Sequence, residues 1–173
     1  QLLASLTNKE IDAFWSDVVL PTKRAFELEL PSGPKTLPYI IPQLESLAKR
    51  VDQAIGNKQF PTAIGGDHVM AVGTFPGAIK ALDASENFRL IWTDGMPVAS
   101  LLGHGEEALV NLYGPGPKIR PQDLVLIGIR SFESGELHFL RELGVKVYYC
   151  PEVLSHGFEG IIQEAIAHVT KNT

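Results

Sequence analysis

Three short stretches gather the side chains that could do chemistry. Residues 63–82, AIGGDHVMAVGTFPGAIKAL, put an acid and an imidazole, Asp67 and His68, directly after two glycines at the end of an apolar run. Residues 88–103, FRLIWTDGMPVASLLG, end a second apolar run on Asp94. Residues 123–136, DLVLIGIRSFESGE, follow a third with Arg130, Ser131, Glu133 and Glu136. Paired glycines let a backbone turn sharply, so the His68 imidazole can point into a shared cleft as a metal ligand. Each group also has a plainer reading. Asp67 suits a helix cap, with His68 an ordinary first-turn residue. Asp94 suits a cap or turn, and acids such as Glu133 and Glu136 are favoured at a helix start by the dipole. Local pattern leaves both readings open.

The elements that position these residues follow from periodicity. From Leu37 to Ile55, the residues Ile41, Leu44, Leu47, Ala48, Val51 and Ile55 recur at helical spacing. Pro42 is expected in the first turn of that helix, and Gly56-Asn57 at its stop. Beyond it, apolar strands are expected near Thr62–Ile64, Arg89–Thr93, Leu124–Ile129 and Lys146–Tyr149. Between them lie a helix over 69–84 weakened by Gly73, Pro76 and Gly77, a short helix opened by Pro97, and a helix over 134–144 closed by Gly144. Residues 104–122 read as largely loop, and 152–172 as one closing helix. Strands alternating with helices predict an α/β fold, a parallel sheet with helices on both faces. In such sheets the ligand crevice lies outside the carboxyl ends of the strands. Asp67-His68, Asp94, Arg130-Ser131 and Pro151-Glu152 fall at those ends.

Composition excludes several classes. With 173 residues and 45% hydrophobic content, the chain suits one domain, residues 1–173. Net charge is −5 with both signs mixed along the chain, so no nucleic-acid-binding face is expected. No apolar run approaches the roughly 20 residues of a membrane span, and the first residues do not resemble a secretory signal. The one cysteine, Cys150, cannot build a disulfide framework and reads as a small core residue ending its strand. His104, His138 and His168 read as surface or partly buried structural residues, and His156 as a helix start beside Gly157. A soluble, cytoplasmic protein is expected, and the Gln1 start suggests that the true N-terminus is missing.

The motifs AIGGDHVMAVGTFPG, LIWTD, GMPVASLLG and DLVLIGIRSFESGELHFLRELGVKVYYCPEV resemble, in this order, the arginase branch of the ureohydrolase family. The likeness runs from about Phe60 to about His168. It implies a three-layer sandwich with a parallel β-sheet flanked by helices. It also implies hydrolysis of L-arginine to L-ornithine and urea by two manganese ions (Mn2+) bridged by hydroxide. By this resemblance His68 is a ligand of one manganese, and Asp94 is the first aspartate of the family's Asp-Ala-His-x-Asp segment. Glu136 resembles the acid that receives the substrate's α-amino group, and Glu133 holds a neighbouring position that is usually Asp. Ser131 falls near the substrate's amino-acid end. The chemistry is consistent: carboxylates and a neutral imidazole suit manganese, bound water becomes a nucleophile near neutral pH, and acids at the rim suit a cationic amino acid. No catalytic residue is assigned. The implied partner is a small molecule, with no nucleic acid or membrane; a homo-oligomer is compatible.

The chain also departs from that pattern. Asp94 is followed at once by Gly95-Met96-Pro97, where arginases insert further His and Asp ligands and a loop ending in His-Gly. Thr173 precedes the strand expected to carry an Asp-x-Asp pair, and the expected first strand with its Gly-rich loop is absent. Two readings follow. In one, loops of an ordinary arginase are missing from an incomplete domain, and the Cα atoms of Asp94 and Gly95 stand farther apart than the roughly 3.8 Å of a peptide link. In the other, the chain is a metal-free, inactive ureohydrolase-like binding or scaffolding protein.

Overall fold

The strands near 90, 124 and 146 pair side by side and in parallel. The computed structural model describes residues 37–64, 68–84, 88–92, 97–130 and 134–171. Within them run helix α1 (Leu37–Gly56), a 3-10 turn (His68–Met70) leading into α2 (Ala71–Ala81), and strand β1 (Leu90–Trp92). Short helices α3 (Val98–Leu101) and α4 (Glu107–Val110) follow, then β2 (Leu124–Ile129), α5 (Ser134–Glu142), β3 (Lys146–Tyr149), α6 (Cys150–His156) and α7 (Phe158–Thr170). The sheet order is β1-β2-β3, with Leu90 opposite Leu124 and Val125 opposite Lys146.

Alternation along β2 builds the layers. Leu124 and Leu126 face a core with Leu90, Val98, Leu101, Ile119 and Leu140. Val125 and Ile127 face the opposite side, against Tyr148 and the α7 stripe Ile161, Ala165 and Val169. Both faces are covered, which is why the strand is apolar almost throughout. The alternation then breaks. The β2–β3 register shifts between Ile127 and Ile129, and Gly128 there adopts φ 75°. A glycine in the left-handed region is the usual way to seat an extra residue in a strand. Ile129 consequently joins the Leu126 face instead of the Ile127 face.

Several expectations are corrected. Thr62–Ile64 forms no strand: residues 59–64 lack regular structure, with Phe60 93% and Ile64 75% exposed. A short apolar run becomes a strand only when a neighbour completes its hydrogen-bond ladder, and local pattern cannot supply that neighbour. Pro42 sits inside α1, beyond the first turn. Helix α2 is continuous through Gly73, Pro76 and Gly77 because those residues are its buried contact face. A Cβ added at Gly73 would stand 2.7 Å from the Leu44 carbonyl oxygen, and one added at Gly77 still closer to that of Ala48. The loop over 104–122 contains α4. The closing helix is two, because Gly157 at φ 80° breaks it; His156 thus ends α6 instead of starting a helix. Cys150 is half-buried and opens α6 rather than closing a strand.

Charge anchors the opposite end of the sheet from the crevice. Asp123, 2% exposed just before β2, lies 3.1 Å by Oδ1 from Arg89 Nε and is paired through Oδ2 with Arg120. The Arg89 Nε–H donates to the Val169 carbonyl oxygen at 2.9 Å, one of the last acceptors of α7. Those terminal carbonyls have no intrahelical partner, so a cation there is favourable.

On the α7 side, the Tyr148 hydroxyl donates to Glu164 Oε2 at 2.9 Å. Burial foremost, then that hydrogen bond and the nearby carboxylate charge, push the phenol from 10.0 up to about 12. The folded chain therefore holds this proton more tightly than the unfolded one. The resulting stabilisation is complete below pH 10 and is lost as pH rises toward 12. Denaturation midpoints between pH 8 and about 12 should fall less steeply for Tyr148→Phe than for the parent. Parallel curves would show that Tyr148 does not titrate with folding.

Candidate functional site

Three strands end at one edge, on Trp92, Ile129 and Tyr149. Helix α2 reaches this edge through aromatic packing. Phe75 meets Trp92 edge-on at 5.1 Å between ring centroids and Phe88 at 6.0 Å, which docks α2 on both flanks of β1. The docking places the head of the preceding 3-10 turn over the end of β1. His68 stands there exposed, its ring 6.4 Å from that of Trp92 and edge-on to it. The Trp92 Nε1–H is buried and makes no hydrogen bond among the described residues.

Glu136 lies in the first turn of α5, half-buried. It is the charged member of a small pocket formed with Leu126, Ile129, Leu137, Leu140, Val147 and Tyr149 at the ends of β2 and β3. The plain helix-dipole account and the substrate-binding account both fit this position. Asp67, Asp94, Ser131 and Glu133 lie outside the described residues, as does the join between Asp94 and Gly95. Of the five expected site residues, His68 and Glu136 are therefore placed, both at the carboxyl edge of the sheet.

The remaining candidates have local roles. Glu152 Oε2 accepts from the Tyr149 N–H at 2.6 Å, satisfying an amide at the start of α6. His156 Nδ1 lies 3.0 Å from the Glu152 carbonyl oxygen and 3.0 Å from Ser155 Oγ, at the C-terminal end of α6. His104 packs edge-on against Phe139 at 5.0 Å, and His138 pairs with Glu142 at 3.2 Å on an exposed face. His168 is half-buried. Arg130 is exposed past the end of β2. Sequence reading missed Trp92 and Phe75, the aromatics that hold His68 at the edge. Their signal was present, an aromatic ending β1 and another one turn into α2, but aromatics at such positions are ordinary core residues.

Among the described residues, no three His, Cys, Asp or Glu side chains come together to hold a metal ion. His68 is one donor, and one imidazole does not make a centre. The described donors alone thus do not fit a two-metal site.

A parallel sheet covered on both faces, with His68 and Glu136 at its carboxyl edge, defines an α/β sandwich whose ligand crevice is expected at that edge. The chain belongs to the arginase family, whose model matches residues 17–173. It is 37% identical over 153 residues to the arginase of Bacillus subtilis (strain 168), a match covering 79% of this chain and 51% of that protein. It is 38% identical over 146 residues to the arginase of Bacillus caldovelox, covering 75% and 48%. The crystal structure of the arginase from Bacillus cereus superimposes with a TM-score of 0.73 at 32% identity, over 79% of this chain and 52% of that one. The chain spans about half the length of the curated relatives it matches. No helix among the described residues is long and apolar enough to cross a membrane.

Proposed function

We propose that this chain carries arginase chemistry, the manganese-dependent hydrolysis of L-arginine to L-ornithine and urea. The observation that carries the reading is the position of His68. A family member holds an exposed imidazole at the head of α2, against the end of β1, where the strand ends gather. In this reading His68 and Asp94 are metal ligands, and Glu136, Glu133 and Ser131 hold the amino-acid end of the substrate. Glu136 suits that role because its side chain borders an apolar pocket, and a charge-assisted hydrogen bond to an ammonium group beside such a surface is stronger than in open water. Manganese enters through the resemblance; when bound, it would supply a water activated as a nucleophile near neutral pH.

A second reading has one observation in its favour. Only residues 93–97 join the end of β1 to the start of α3, and Asp94 is the single metal-ligating residue among them. That suits a ureohydrolase-like protein that binds without hydrolysing. Elemental analysis together with urea release from arginine in added manganese separates the two. The enzyme reading expects bound manganese and urea, and expects His68→Ala to lower both the metal content and the rate, the rate by at least about 100-fold. A chain that retains no manganese and releases no urea sinks it. Equal metal content and rate in His68→Ala would remove His68 from the site.

A further inference from the structure

Away from this edge, the segment between α4 and β2 encloses a buried ammonium group. Lys118 is 9% exposed. Its Nζ donates to the carbonyl oxygens of Val110 at 2.7 Å, Gly114 at 2.6 Å and Gly116 at 2.7 Å. Those three bonds use every donor that an ammonium group has. No carboxylate forms an ion pair with it among the described residues. A buried charge without a counter-charge is costly unless dipoles replace its hydration. Here main-chain carbonyls provide that replacement, as they do for bound metal cations.

The backbone is bent to make this possible. Tyr113, Gly114 and Gly116 all adopt positive φ, 58°, 149° and 72°. For Tyr113 such a conformation is unfavourable and needs compensation from its surroundings. The Gly116 N–H is tied to Asn111 Oδ1 at 2.9 Å, and the Lys118 and Ile119 amides both donate to the Leu101 carbonyl oxygen, at 2.8 and 3.2 Å. The folded segment then presents the Tyr113 hydroxyl to Asp52 of α1 at 2.8 Å. Without a cation, three carbonyl oxygens would converge on one point and repel one another.

We propose that the Lys118 ammonium is a tethered cation around which residues 110–118 fold, filling a carbonyl site that accepts a free potassium or ammonium ion once the side chain is cut back. The competing account is that Lys118 contributes mainly its apolar stem, with the charge incidental.

Thermal unfolding of Lys118→Ala and Lys118→Met in potassium, ammonium or choline chloride at matched ionic strength separates the two. In choline both variants should melt about 5–10 °C below the parent, the scale expected for losing several charge-assisted hydrogen bonds in a chain of this size. Lys118→Ala should regain part of that loss, saturably, in potassium or ammonium. Lys118→Met, whose side chain fills the space, and the parent should respond to neither. A Met variant as stable as the parent, or an Ala variant that behaves alike in all three salts, would overturn the proposal. Should Lys118→Ala fail to fold in every salt, the parent protein decides the question by nitrogen-15 NMR. A slowly exchanging Lys118 ammonium signal supports the site, and exchange as fast as that of exposed lysines overturns it.

Discussion

Replacement of Asp123 by alanine is expected to lower the unfolding free energy by about 3–5 kcal/mol, the range for removing one partner of a buried ion pair. The magnitude follows from what remains behind. The Arg89 side chain is 16% exposed and its Nη1 is buried without a hydrogen-bond partner among the described residues, so its charge depends on Asp123 only 3.1 Å away. Truncation leaves a guanidinium in the interior with no counter-charge. The pairing with Arg120 is different, because that side chain is 47% exposed and water can solvate it. Arg120→Ala should therefore lose less than about 1 kcal/mol. Urea denaturation of the two variants checks both values. A loss near 1 kcal/mol for Asp123→Ala would mean that Arg89 escapes to solvent, and the anchor between β1, β2 and α7 would be lost as an explanation.

The second large effect is one of sign. In a helix interior, Gly→Ala normally stabilises by up to about 1 kcal/mol. Gly160, in the first turn of α7, has open space where a Cβ would sit, and Gly160→Ala should stabilise by less than that interior value. At Gly77 the added carbon would collide with the backbone carbonyl oxygen of Ala48, and the neighbouring Cα and carbonyl carbon are also within contact range. Backbone in the middle of α1 cannot swing aside as a side-chain tip could, so the two helices must separate. Gly77→Ala should destabilise by about 3 kcal/mol, the upper end for overpacking a core. Equilibrium unfolding of both variants decides it, and stabilisation at Gly77 would refute the close contact between α1 and α2.

The same glycines show where reading by sequence stops. Gly73 and Gly77 count against a helix by propensity, yet they are what allows α2 to lie against α1. Propensity describes an isolated segment, whereas this contact depends on a helix some 30 residues away in the chain.

What the sequence by itself determined are the features carried within one element. The 3.6-residue spacing of α1, the apolar runs of β1, β2 and β3 and the glycine after α5 were legible because each acts through its own backbone and near neighbours. The ordered motifs, and with them membership of the arginase family, were legible too. Tertiary structure alone decided which apolar run became a strand: Thr62–Ile64 has the composition but no ladder partner among the described residues. It decided that Gly128 would turn Ile129 to the other face, that Asp123 would meet Arg89, and that His68 would rest against Trp92. Each of these is a pairing between distant segments. Its free energy comes from desolvation and packing at the meeting point, and neither partner's local sequence contains that term.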